Sequence, residues 1–232
     1  MKAANKAEVE VATATATATA AVGTATQNFF QKYGGSAASG GPAVGSFLKF
    51  SKFGEFRYGS YDDQLALGTQ LAVYMNAFCI GWTRWEANRP AERIMGPLAE
   101  GFVPPKRAEL GHHEQAQWER DNDGRARDPW QFTNTVVLKP VDSDEVFYTF
   151  STSSKGGLAA LGKLALEFGN RMRSKPDEYP VVELDRDSYQ HSNKAYGEIR
   201  VPVFTVVGWV PVSTLPPLEG FGSSTALPPP QF

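Results

Sequence analysis

A single cysteine, Cys79, leaves no partner for an internal disulfide anywhere in the 232 residues. With only three histidines beside it, the chain has no spacing that a structural zinc site would need. A reducing, cytoplasmic compartment is therefore expected. Cys79 lies in the apolar run Phe-Cys-Ile-Gly-Trp, where a small core residue is a better reading than a nucleophile. Long apolar runs are missing too: none approaches the roughly 18 residues that cross a bilayer. Lys2 and Lys6 are followed by Glu8, Glu10 and a Thr-Ala alternation, which does not read as a secretory signal. A soluble protein with no membrane partner is expected. Nor is there a surplus of charge of one sign. The chain carries 23 Lys+Arg against 25 Asp+Glu, so only local clusters bear on whether it meets a polyanion.

Motifs for chemistry are equally scarce. The Gly-x4-Gly-Lys-Ser/Thr loop, the dinucleotide Gly-x-Gly-x-x-Gly and the Gly-x-Ser-x-Gly elbow are all absent. His112-His-Glu114 puts adjacent histidines where both cannot face one ion, and His-Glu-x-x-His is missing. Asp121-Asn-Asp-Gly124 lacks the third acidic ligand and the distant glutamate of a calcium loop. Clustered carboxylates for a two-metal hydrolase are not seen. These absences set the expectation of no catalytic residue, no metal, no cofactor and no enzyme activity.

What the chain does have is material for one core: 41% apolar and 12% aromatic residues. Residues 1–45 read as a disordered low-complexity tail, with Thr-Ala alternation, a Gly/Ser/Ala-rich stretch and one aromatic cluster, Phe29-Phe-Gln-Lys-Tyr33. Residues 46–212 read as a single β-rich domain, and 213–232 as a flexible Pro/Gly-rich tail. Within the domain, β formers on either side of Gly54-Glu55 predict a hairpin. Strands are expected over 69–75, 78–86 and 93–98, with a turn at Asn88-Arg-Pro90. Residues 102–128 form a long insertion loop with a short helix expected between Arg107 and Trp118.

Two strands then span 131–139 and 145–151. Ser153 or Ser154 is placed to cap a helix whose buried stripe is Leu158, Leu161, Ala165, Phe168 and Met172. The last strands cover 179–184 and 199–210, and Pro202 marks an edge strand or a bulge. Seven to nine strands and one main helix give an α+β, mostly antiparallel domain, with an OB-like partly open barrel as the suggested architecture. An oligonucleotide-binding fold, with its helix between its third and fourth strands, accommodates this order, and so do several unrelated sheet-plus-helix folds.

Ser151-Thr-Ser-Ser-Lys-Gly-Gly157 is the best site candidate. A helix N-terminus offers unpaired N–H groups and partial positive charge to a phosphate, Lys155 adds a cation, and the glycines permit close approach. The competing reading is an ordinary capped helix whose glycines serve tight packing. Lys163, Arg171 and Arg173 continue the positive charge along this helix, or simply complement its dipole. Trp82-Thr-Arg-Trp85 puts its tryptophans on opposite faces of a strand, so one is free to stack on a base beside Arg84. Trp130 is a further stacking candidate, and Lys49, Lys52 and Arg57 interleave with aromatics in the first hairpin. For any single ring, a place in the core remains the alternative.

Asp128-Pro-Trp-Gln-Phe-Thr-Asn134, Phe150-Ser-Thr-Ser-Ser-Lys-Gly-Gly157, Tyr179-Pro-Val-Val-Glu-Leu184 and Asp187-Ser-Tyr-Gln-His191 occur in that order. In this the chain resembles a family of poorly characterised phage and prophage proteins, over about residues 47–212. The resemblance implies a phage context inside a bacterial host cell, with a role in replication or recombination where single-stranded DNA must be held. The ending Pro230-Gln-Phe232 resembles the Pro-Phe tip through which bacterial single-stranded DNA-binding proteins recruit partners. It departs from those acidic tails in having only Glu219 after Val212. The combined expectation is a sequence-tolerant single-stranded DNA-binding protein. Phosphate contacts would come from Lys49, Lys52, Arg57, Arg84, Ser154, Lys155, Lys163, Arg171 and Arg173, and stacking from Trp82, Trp85 and Trp130. A protein partner at the C-terminal tip and self-association are both left open. The alternative is a structural or adaptor protein of a phage particle that binds no nucleic acid.

Overall fold

The computed structural model describes residues 44–121 and 123–218. The Phe29–Tyr33 cluster, the Thr-Ala repeat and the Pro230–Phe232 tip lie outside the described residues. Among the described residues nine strands form one sheet: β1 (Ser46–Phe50), β2 (Phe56–Tyr58), β3 (Asp63–Leu65), β4 (Gln70–Glu86), β5 (Arg89–Pro97), β6 (Trp130–Pro140), β7 (Tyr148–Thr152), β8 (Glu178–Gln190) and β9 (Glu198–Pro211). The one α-helix among the described residues, α1 (Lys155–Met172), joins β7 to β8. The strand order is β3-β2-β1-β7-β6-β4-β8-β9, with β5 pairing β4 beyond the end of β8. Every pairing is antiparallel except β1 with β7.

The sequence suggests two strands where the structure has β4, a single strand that bends. Its partner β6 advances only from Val137 to Thr135 while β4 runs from Tyr74 to Cys79, so Met75–Phe78 bulge out opposite Val136. Before the bulge β4 pairs with β8; after it, with β5. The bulge lets one strand serve both halves of a curled sheet. The β4–β5 turn is Ala87-Asn88, both at positive φ (50° and 60°), which suits a two-residue hairpin. Pro90 and Pro202 both sit in strands at the sheet margin, where a missing N–H costs no ladder bond.

Curling brings the ends of the sheet together. Phe56 of β2 meets Phe204 of β9 at 5.9 Å between ring centroids, and Phe150 of β7 lies 5.1 Å from Phe204. The result is an α+β half-barrel, consistent with an OB-like partly open barrel.

Helix α1 fills its interior. Ser154 is the N-cap and accepts a hydrogen bond from the Gly157 amide at 3.1 Å. Leu161 and Phe168 are buried as expected, but Ala160 and Leu164 complete the stripe, while Leu158, Ala165 and Met172 flank it half-buried. Gly156 and Gly157 answer to packing: a Cβ would fall 2.3 Å from Val201 Cγ1 at the first and 2.2 Å from Thr152 Oγ1 at the second.

The segment after β9 stays on the domain through the last described residue. The Tyr74 hydroxyl donates to the Pro216 carbonyl at 2.9 Å, and Leu218 is buried. The short helix expected between Arg107 and Trp118 is instead two isolated 3-10 turns, Arg107–Glu109 and Gln115–Gln117.

Candidate nucleic-acid interface

Strand register sorts the sheet into two faces. Leu48, Phe56, Val136, Leu138 and Phe150 share the inner face and the core with α1. The intervening residues point outward. Across β3, β2 and β1 the outward row is Gln64, Arg57 and Lys49, since Arg57 pairs with both of the others. Phe47 pairs with Thr149, so Lys49 and Ser151, each two residues on, share the outer face. Ser151 pairs with Thr135 of β6, and the two hydroxyls are hydrogen-bonded at 3.0 Å. Beside them the Ser153 hydroxyl donates to Gln131 at 3.0 Å. Gln131 pairs with Thr83 of β4, and Thr83 with Arg93 of β5.

From β3 to β6 the outer face is thus a band of hydroxyl, amide and cationic side chains, and at β4 the band meets the buried Thr83. Lys49, Ser151, Ser153 and Gln64 are exposed, and Lys155 follows directly at the start of α1. Arg57 is held by Glu55 at 3.0 Å and by the Asp62 carbonyl at 2.9 Å. Burial lowers the pKa of Arg93 from its usual value.

The tryptophans divide as their spacing implies. Trp82 faces inward, edge-on to Phe132, with its indole N–H donating to the Pro105 carbonyl at 2.8 Å. The 102–128 loop therefore covers it. Trp85 falls on the outer face with Thr83, half-buried, and its indole nitrogen has no hydrogen-bond partner in the described structure. Trp130 is only 4% exposed, which corrects its reading as a stacking residue: its ring is buried in the protein. Arg84, opposite Trp130 in register, is engaged by Glu92 at 3.2 Å and Glu86 at 3.1 Å.

Along α1 the cations scatter. Arg171 is tied to Glu178 at 3.0 Å and lies 5.1 Å over the Trp209 ring. Lys163 and Arg173 are exposed on the helix that covers the inner face, so the sheet stands between them and the Lys49 row. Ser154 spends its hydroxyl on the cap. Lys52 sits outside the strands, 5.2 Å over the Phe53 ring. Ser151 opens the segment that the sequence singles out, whereas nothing in the sequence marks Thr135, Gln131 and Arg93 as site residues. Their alternation with apolar residues was visible, but which strands adjoin was not.

No three His, Cys, Asp or Glu side chains among the described residues are grouped to hold a metal ion. Burial, reinforced by Glu100, pushes the Cys79 thiol up to about 11, so it stays protonated at neutral pH. Among the described residues no helix is long and apolar enough to cross a membrane.

The covering loop is fastened by Arg107, whose Nε and Nη2 donate to Asp128 at 2.7 and 2.8 Å. Asp128 also accepts from the Trp130 amide at 2.9 Å. Asp128→Ala removes all three bonds and is expected to cost about 2 kcal/mol after allowance for partial exposure. Trypsin should then cut the 102–128 loop at least several-fold faster; an unchanged cleavage rate would mean that the loop is fastened elsewhere. No protein-family model, curated protein or solved structure matches this chain.

Proposed function

We propose that this chain is a phage-type, sequence-tolerant single-stranded DNA-binding protein acting in replication or recombination. What supports the reading is the outer band of the half-barrel: Arg57 and Lys49 lead into Ser151, Thr135, Ser153 and Gln131, with Lys155 adjoining. Cations along such a band track phosphates, while the hydroxyls and amide bond to sugar and phosphate oxygens without selecting a sequence. Trp85 offers a partly exposed ring on the same face. Lys52 adjoins at the β1–β2 turn. The phage setting rests on the sequence resemblance alone.

The test is a titration of labelled oligo-dT, followed by anisotropy across a salt series, with duplex DNA of equal length alongside. Binding to the single strand is expected to exceed binding to the duplex. For about four phosphate contacts, log K should fall against log salt with a slope near −3. Absence of binding at low salt would overturn the reading and favour the structural or adaptor alternative, which self-association measurements would then address.

A further inference from the structure

Phe53 is 58% exposed, at the turn between β1 and β2, beside Lys52 and two arginines that the outer band does not use. The turn is rigid. Ser51 Oγ accepts from the Phe53 and Glu55 amides at 3.2 and 3.3 Å, the Ser51 amide donates to the Glu55 carbonyl, and the Gly54 amide donates to the Ser51 carbonyl. Gly54 has φ of 77°, and its missing Cβ would stand 2.8 Å from Arg200 Cδ and 2.9 Å from Arg186 Cδ. The stems of both arginines, reaching over from β8 and β9, therefore close on the turn.

Their guanidiniums converge on one oxygen: Arg200 Nη1 donates to the Phe53 carbonyl at 2.6 Å and Arg186 Nη1 to the same carbonyl at 3.5 Å and to that of Gly54 at 3.3 Å. Among the described residues, Arg186 Nε and Nη2 have no partner. Glu198 lies 3.5 Å from Arg200 Nη2, Glu55 belongs to the turn itself, and Asp185 and Asp187 flank Arg186 in sequence. Lys52 adds a third cation, 5.2 Å from the centre of the Phe53 ring. The ring is exposed on a hydrogen-bonded turn whose carbonyls hold both arginines, with Lys52 over the ring.

We propose that the Phe53 turn is a nucleotide platform. A single-stranded base stacks on the Phe53 ring, and the flanking phosphodiester is taken by Arg186, Arg200 and Lys52. The proposal rests on the single-stranded DNA reading and extends it from the outer band to Phe53, Arg186 and Arg200. An aromatic face accepts any base, and cations fixed beside it hold the backbone while the base lies flat. A ring exposed on a rigid turn also loses little freedom on binding.

The experiment measures binding of the full chain to oligo-dT and to an abasic oligomer of the same length, for wild type, Phe53→Ala, Phe53→Trp and Arg186→Ala. Phe53→Ala should bind oligo-dT about tenfold more weakly than wild type and the abasic strand equally well. Phe53→Trp should retain affinity and show fluorescence quenching by oligo-dT. Arg186→Ala should weaken both strands by a similar factor. Because Phe53 is exposed, Phe53→Ala should melt with the wild type. If wild type binds oligo-dT and Phe53→Ala binds it equally well, the platform is wrong and the parent reading stands. If wild type binds neither strand, both fall together.

Discussion

Gly81→Ala should destabilise the protein by about 3 kcal/mol or more, lowering the melting temperature by roughly 6–12 °C for a domain of this size. The cause is backbone crowding, not a lost contact. Gly81 follows the bend in β4 and has φ of 151°, and a Cβ there would lie 2.1 Å from the Ile94 carbonyl oxygen and 2.7 Å from Met95 Cα. Both atoms belong to the backbone of β5, so neither can step aside without breaking the β4–β5 ladder. Gly68→Ala is the control. Gly68 has φ of 85° but nothing within 4 Å of the added methyl, so only conformational strain remains, about 1 kcal/mol. Thermal melts of the two variants should differ by several degrees. Equal shifts would mean that β5 does not approach Gly81 this closely.

The second large effect concerns binding. Reversing charge at three exposed positions, Lys49→Glu, Lys52→Glu and Lys155→Glu together, should weaken oligo-dT binding by about a hundredfold at 50 mM salt. It should also make the salt slope shallower by about 2. None of the three makes a salt bridge among the described residues, so folding should survive, and a thermal melt checks that. Lys163→Glu with Arg173→Glu, on the far side of the sheet, should change affinity by no more than about threefold at 0.15 M salt. Fields there are screened beyond about 8 Å. If the helix pair costs as much as the sheet trio, the DNA path runs over α1 instead of the outer band.

Local signals carried much of the fold. The Gly54 turn, the Ser154 cap, the strand character of 131–139 and the marginal place of Pro202 all follow from short-range preferences, and the structure has them. Asn76 interrupts the apolar pattern of residues 69–86, so the sequence suggests two strands; the chain bulges there and continues as one. Helical periodicity located the buried stripe of α1 to within one residue. The choice of Leu164 over Ala165 depends on the angle at which the helix enters the half-barrel, which the helix alone does not encode.

Site residues fared unevenly for a related reason. That Lys49 and Arg57 stand side by side follows from a hairpin, a local fact. Their continuation into Ser151 depends on the parallel pairing of β1 with β7, about a hundred residues away in sequence. The sequence does not show the loop that covers Trp82, the burial of Trp130 or the glutamates that take Arg84. Nothing local marks Arg186 and Arg200, because only the curl of the sheet carries them to the Phe53 turn.

The most direct test of the central claim is backbone amide chemical-shift mapping of the full chain during titration with oligo-dT. The account predicts that the largest perturbations form a continuous path over Arg57, Lys49, Thr135, Ser151, Gln131 and Lys155, with Phe53 at a second locus. Perturbations confined to the exposed side of α1 or to the 102–128 loop, or none at low salt, would contradict it.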